Sequence, residues 1–313
     1  MIVPMSQQID NPELVDVAII GAGPAGSAAA IHAVKAGYET LLIDAASFPR
    51  DKTCGDGLTP RAMHQLNLLG LDINAQYRNK GLKLHGYGGS VTAPWPSSYP
   101  TSVGTALPRH EFDNLVFAAA QAAGAKTWTG TPATAPVVEN GSLTSFRVGE
   151  REVRSKWVIV ADGVRSTFGK QLGRAWHQDE VYGIAARSYA TSTHAAEPWM
   201  HSHVELKSET GEVQPGYGWI FPLGAEIGEV NIGLGALSTA QRPARINTKK
   251  LLSHYAQQQR ADWGLGEITR VASALLPMGG AVSNVAGANW MLIGDAAACV
   301  NPLNGEGIDY GLE

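Results

Sequence analysis

The stretch VDVAIIGAGPAGSAAAIHAVKAGYETLLIDA, residues 15–45, changes pattern several times within a short span. Val15 to Ile20 is an apolar, largely β-branched run, the pattern of a fully buried strand rather than of a strand with one wet face. Gly21, Gly23 and Gly26 follow it, then an alanine-rich stretch predicts a helix to about Ala36, ended by Gly37. Thr40 to Ile43 predicts a second buried strand, closed by Asp44. Strand, glycine turn, helix, strand, acid is the order of a βαβ nucleotide-binding unit.

Thr59-Pro60 predicts a helix start, with Thr as N-cap and Pro at the first helical position, and the helix should run to Gly70. From about Gly81 to Thr105 the chain is rich in Gly, Pro, Ser and aromatic residues, which predicts sheet and loops. LPRHEFDNLVFAAAQAAGA returns to helical spacing, with Phe112, Leu115, Val116 and Ala119 on one face. SFRVGEREVRSKWVIVADG predicts a hairpin feeding a buried strand at Trp157 to Val160. VYGIAARSY, SHVELKS, GYGWIFPL and EVNIGLGAL then read as strands, interrupted by a helix at about Thr248 to Arg260. WMLIGDAAACV, residues 290–300, repeats the opening pattern of buried strand, glycine, acid and small residues. The expected fold is therefore mixed α/β (α+β), with a nucleotide-binding unit over 10–75, 103–175 and 276–313. A mostly antiparallel sheet unit over 76–102 and 176–275 is inserted into it.

Composition narrows the function classes. At 313 residues the chain has room for two cores. Its formal net charge is −4 and no basic stripe appears, which argues against nucleic acid as a partner. Cys54 and Cys299 are the two cysteines and lie far apart, so no disulfide framework is expected and a reduced, cytoplasmic setting fits. The N-terminal MIVPMSQQIDNPEL lacks the basic and apolar regions of a signal peptide, and no apolar run approaches the roughly 20 residues of a spanning helix. Contact with a membrane would be peripheral, on the cytoplasmic face. The chain ends at GIDYGLE just as a helical pattern begins, which reads as a fragment of a longer chain.

The chemistry sits in glycine-rich segments. GAGPAG fits G-x-G-x-x-G after a strand and before a helix: Gly21 permits the tight turn, Gly23 lets backbone approach a pyrophosphate, and Gly26 allows close helix–strand packing. Asp44 is placed to accept hydrogen bonds from an unphosphorylated adenosine ribose, which favours FAD or NAD over NADP. VIVADGVRS and LIGDAAACVNPLNGEGI both follow buried strands, and a NAD dehydrogenase has no use for the second. A flavoprotein does. Asp295 can bond a ribityl hydroxyl, and the helix after Gly305 and Gly307 can aim N–H groups at the flavin pyrimidine edge, stabilising an anionic reduced flavin. The histidines show no metal-ligand spacing, so no metal is expected.

GAGPAG, ADGVRS and IGDAAACVNPLNGEG together resemble the FAD-dependent oxidoreductases of the p-hydroxybenzoate hydroxylase structural class. Within it, CGDGLTPRA and YGWIFP resemble the geranylgeranyl reductase family, whose Tyr-x-Trp-x-Phe-Pro stretch is matched by Tyr217, Trp219, Phe221 and Pro222. Over residues 15–313 the likeness is greatest to the actinobacterial menaquinone reductase branch, which saturates one isoprene unit of a quinone tail and continues into a C-terminal helical region absent from this chain. The resemblance implies a cofactor site of Gly21, Gly23, Pro24, Ala25, Gly26, Asp44, Cys54, Gly55, Arg109, Asp162, Gly294, Asp295, Pro302, Gly305, Gly307 and Ile308. It implies catalytic roles for Cys54, Tyr217 and Trp219, and a substrate pocket with Phe221 and Pro222. Asp56 reads as a local cap for backbone N–H groups, with a catalytic role as the lesser alternative.

An isolated isoprenoid double bond has no conjugated carbonyl, so hydride alone would leave an unstabilised carbanion. The workable route protonates the alkene as hydride arrives, in a dry pocket tolerant of positive charge. The π faces of Tyr217, Trp219 and Phe221 could each favour such a charge by ~0.5–2 kcal/mol. A thiol ordinarily titrates at about 8.5 and so carries its proton at neutral pH, one physical reason for a cysteine at position 54. Tyr217 or a bound water are the alternative proton sources. The implied partner is an isoprenoid quinone or polyprenyl substrate, and the electron donor, NAD(P)H or a redox protein, stays open because no second G-x-G-x-x-G is present. A flavin monooxygenase or halogenase on the same scaffold is the alternative reading, and a non-catalytic flavin redox carrier a further one.

Overall fold

The first strand, Glu13–Ile20, lies in the middle of a parallel arrangement, with Thr40–Ile43 on one side and Arg151–Val160 on the other. The computed structural model describes residues 11–73, 77–98, 101–177, 182–239, 241 and 246–313. The N-terminal ten residues, the expected unit boundaries at 10 and 76, and Val181 of VYGIAARSY lie outside them. Lys126–Trp128 extends the sheet beyond Thr40–Ile43, and Trp290–Leu292 pairs in parallel with Arg151–Val160, so the final segment rejoins the sheet that opened the chain. Parallel strands need a crossover, and the helices Pro24–Lys35 and Arg109–Ala123 cover one face. Ile19, Leu42, Phe112 and Val116 share that core.

Local signals account for most element ends. Thr59 caps the helix Pro60–Leu69 by accepting from Ala62 N, and Gly70 ends it in the left-handed region. The helix Thr248–Trp263 is capped by Asn247, which accepts from Lys250 N, and runs three residues past its expected end to Gly264, again left-handed. The first helix starts earlier than its alanine pattern suggests, at Pro24, so Gly26 lies within its first turn. A Cβ there would sit 1.8 Å from Gly21 O, which is why a glycine occupies an otherwise helical position. On Arg109–Ala123 the fully buried face is Phe112, Val116 and Ala120, with Leu115 and Ala119 at its margin. SHVELKS is not a strand beyond His203: the strand is Met200–His203, and the chain then turns back at 207–213.

The second sheet has seven strands in the order Thr269–Leu276, Tyr182–Thr191, Glu229–Ser238, Gly216–Pro222, Met200–His203, Gly81–Gly86 and Gly89–Pro94. Its pairings are antiparallel except that between Met200–His203 and Gly81–Gly86. Alternation divides its faces. Ile220, Ile232 and Leu234 pack under the helix Thr248–Trp263 with Leu252 and Tyr255. Tyr217, Trp219 and Phe221, one position out of phase, point the other way, toward the parallel sheet. Among the described residues no helix is long and apolar enough to cross a membrane, and no group of three or more His, Cys, Asp or Glu side chains is placed to hold a metal ion.

Candidate active site

A cavity of about 1040 Å³ runs between the two sheets, from Gly21, Gly23 and Asp44 at one end to Tyr217, Trp219 and Phe221 at the other. At the first end the backbone sets the shape. Gly21 has φ 103°, and a Cβ on it would meet Ala161 O at 2.2 Å. Gly23, the N-cap of the first helix, is different: a Cβ there would find only the Arg50 guanidinium, at 3.5 Å. Its missing side chain leaves open cavity in front of free helix N–H groups, the shape and polarity a pyrophosphate needs. Asp44 lines the same end, accepting from Ala22 N and Ala46 N, both at 2.8 Å. Pro24, Ala25, Asp162, Gly294, Asp295, Pro302, Gly305, Gly307 and Ile308 also line the cavity. These residues fit FAD: an open glycine cradle at a helix end, an acid after the second strand, and a long continuous space beyond. Gly26 stays out of the cavity, packed on Gly21.

Several of these side chains carry structural duties as well. Asp295 pairs with Lys52 at 3.1 Å, tying the last segment to the loop before Cys54. Asp162 accepts from Phe168 N at 2.9 Å, and burial raises its pKa. Arg109 lines the cavity but spends its guanidinium on Asp113, at 2.5 and 2.9 Å. Burial works against its charge, yet Asp113 and the adjacent Cys54 outweigh burial and hold its proton above the ordinary value.

At the far end the CGDG turn lies on the aromatic strand. A Cβ on Gly55 would meet Phe221 at 3.1 Å and Trp219 Nε1 at 3.4 Å, and one on Gly57 would meet Met200 at 2.4 Å. Asp56 between them has φ 64° and is completely buried. It accepts from Tyr189 OH at 2.5 Å, from Asn231 Nδ2 at 2.8 Å and from Arg109 N at 3.3 Å. Burial pushes its carboxyl up to about 6 against the pull of these donors. The role of backbone cap accounts for only one of its three partners. Trp219 lies over Gly233 on the neighbouring strand, where a Cβ would come within 2.2 Å of the indole. Tyr217 donates to Asn304 O at 2.9 Å, and burial, then Glu306 and Cys54, push its phenol up to about 12. Glu306, beside Asp309, is raised by burial and by that second carboxyl.

One expected pocket residue belongs elsewhere. Pro222 lies in phase with Ile220, on the face toward the helix Thr248–Trp263, and does not line the cavity; period-two alternation excludes it once Phe221 points in. Asn231, Gly233, Glu306 and Lys52 were not singled out from sequence. The GLG of EVNIGLGAL was a visible signal for a ring crossing the strand. Asn231 carried no signal, because a lone amide in an apolar strand does not name its partners.

The chain matches the FAD binding domain family over residues 14–313. It is 53% identical over 303 residues to a menaquinone reductase of Mycobacterium tuberculosis, covering 95% of this chain and 74% of the relative. It is 54% identical over 307 residues to a menaquinone reductase of Mycolicibacterium smegmatis, with the same coverage of 95% and 74%. A digeranylgeranylglycerophospholipid reductase of Methanopyrus kandleri is 27% identical over 305 residues, 95% of this chain and 77% of that one. Among solved structures, a geranylgeranyl bacteriochlorophyll reductase-like protein of Thermoplasma acidophilum superposes with a TM-score of 0.80 at 25% identity, covering 96% of this chain and 76% of that chain. A flavin-dependent brominase superposes with a TM-score of 0.74 at 19% identity over 96% of this chain and 76% of its own, a likeness of fold alone. With the family match spanning the cavity and both sheets, the chain belongs to the FAD binding domain family, among FAD-dependent reductases of the menaquinone reductase and geranylgeranyl reductase type.

Proposed function

We propose that this protein saturates one isoprene unit of the menaquinone side chain. The carrying observation is the continuity of a single cavity from the glycine cradle of the dinucleotide to the wall of Tyr217, Trp219 and Phe221, with Cys54 on the lining beside that wall. The division into a flavin-binding unit (10–75, 103–175, 276–313) and a substrate unit (76–102, 176–275) belongs to this reading.

Gly21, Gly23, Asp44 and Gly294 would hold the nucleotide, and Gly305, Gly307 and Ile308 would face the flavin ring. Bound FAD supplies the hydride when reduced. The chain's own residues supply the rest. The aromatic wall excludes water and orients the tail, and the Trp219 and Phe221 rings, 6.1 Å apart, present π density to the carbon that becomes electron-poor. One proton and one hydride then add across the double bond, whose π pair forms the first new C–H bond. The proton sits at Cys54 Sγ. Tyr217 is the poorer source, since its raised pKa keeps the phenol protonated and its O–H is committed to Asn304 O.

The cavity lining includes apolar side chains that reach solvent: Leu303 is 90% exposed, and Leu84, Val204 and Leu237 are partly exposed. Such side chains suit peripheral contact with the cytoplasmic face of the membrane, where a polyprenyl quinone resides. The electron donor, NAD(P)H or a redox protein, is left open. The test is anaerobic: photoreduced full-length holoenzyme mixed with menaquinone should reoxidise and yield a tail heavier by two hydrogens. Reoxidation with reduction of the quinone ring alone would refute the proposal.

A further inference from the structure

Asn231 is fully buried on the strand Glu229–Ser238, opposite Phe221 in the register. Its Nδ2 donates to Cys54 O at 2.9 Å and to Asp56 Oδ2 at 2.8 Å. Its Oδ1 accepts from Trp219 Nε1 at 2.9 Å. An amide has two N–H donors and one carbonyl. Here both donors hold the CGDG turn and the carbonyl holds the indole. One side chain therefore spans the element that carries the thiol and the ring that walls the cavity. Among the described residues no strand ladder makes that connection: the strands of the second sheet pair with one another, and the turn, whose Gly57 pairs with Ala106, is not among them.

We propose that Asn231 is a positioning residue for the reaction, holding Cys54 and Trp219 at a fixed separation and so setting where the double bond lies relative to the thiol. The inference rests on the reading of the cavity as an isoprenoid reduction site. Leucine at this position would keep the branched shape, with methyl groups in place of the amide nitrogen and oxygen, while leaving Cys54 O, Trp219 Nε1 and one Asp56 contact without their partner. Aspartate would keep the acceptor for Trp219 but lose both donors and set a second carboxyl against Asp56. Tyr189, Arg187 and Arg109 also face that carboxyl, the first by a hydrogen bond and the two arginines by charge.

The experiment uses full-length holoenzyme carrying N231L or N231D. Flavin content, kcat and KM with menaquinone under continuous anaerobic photoreduction of the flavin, and product mass are measured, along with the rate at which iodoacetamide alkylates Cys54, read by peptide mass spectrometry without substrate. N231L should keep its flavin and its KM within about threefold, lose at least about tenfold in kcat, and alkylate Cys54 at least about threefold faster. N231D should regain rate as pH falls, because a carboxyl pair that shares one proton restores a donor; N231L should not. Wild-type kcat and wild-type Cys54 alkylation in N231L would overturn the proposal. Should N231L not accumulate, N231D decides it, and a pH profile matching wild type overturns it. If wild-type holoenzyme leaves the tail unsaturated, the functional reading fails, while the alkylation rates still judge Asn231.

Discussion

Cys54 occupies a place where a proton source and a wall are both wanted. Cys54→Ser should keep FAD, since the thiol makes no phosphate contact, but should slow tail saturation by about tenfold or more, because a hydroxyl holds its proton far more tightly than a thiol. Cys54→Ala separates the roles: loss of rate marks the proton, and an altered number of saturated bonds marks the shape. Wild-type rate and product in both variants would make the turn a scaffold. Asp56 makes a prediction of a different kind. Its carboxyl rises from 3.8 to about 6 on folding, so the native state binds the proton more tightly than the unfolded chain does. The stability this contributes is complete below about pH 4 and is lost as pH rises through 6. Between pH 4.5 and 8, in urea titrations, wild type should lose about 2 kcal/mol that Asp56→Asn does not lose. A difference between the two proteins that stays constant with pH would contradict this account.

Among the elements, the aromatic strand and its neighbour depend on each other. Trp219 can lie over the neighbouring strand only because Gly233 offers no side chain, and a Cβ there would also come within 2.7 Å of the Ala186 carbonyl oxygen. Gly233→Ala should therefore displace the indole into the cavity, costing about 1–3 kcal/mol of stability and most of the turnover while flavin stays bound. A holoenzyme with unchanged turnover would show that the strand can yield instead. The CGDG turn obeys the same logic from the opposite side, since Gly55 and Gly57 let it rest on Phe221, Trp219 and Met200.

On the scale of the whole molecule, the two faces of the second sheet carry different chemistry. One is the apolar wall of the cavity; the other, at its edge, holds His85, His201 and His203 stacked together, with the rings of His85 and His203 4.7 Å apart. Burial, then the neighbouring His85 and His201, lowers His203 from 6.5 to about 4. His201 is lowered as well, by burial first and then by His85 and Lys83, against the pull of Glu197. The unfolded chain thus takes up protons before the native state can. Stability present above pH 6.5 should fall away toward pH 4, by a few kcal/mol in order of magnitude. His203→Asn should flatten that acid limb in thermal melts between pH 7.5 and 5. Equal acid loss in both proteins would place the sensitivity elsewhere.

What the sequence by itself determined was whatever depends on neighbours along the chain. GAGPAG after an apolar run required a tight turn and a helix start, Thr59-Pro60 and Gly70 required a capped helix, and the alternation of YGWIFP put three rings on one face. These follow from backbone dihedrals and from the periods of helix and strand, which act over a few residues. The cofactor end of the cavity was legible for that reason. The other end was decided by tertiary structure. Asp56 meets Tyr189, Lys52 meets Asp295, and Asn231 joins Cys54 to Trp219 across large separations in sequence. Such partners are chosen by how two sheets pack, because a buried polar group takes whichever donor or acceptor the packing brings within reach. Pro222 shows the same dependence in reverse: the motif named it, and the register of the sheet turned it away from the cavity.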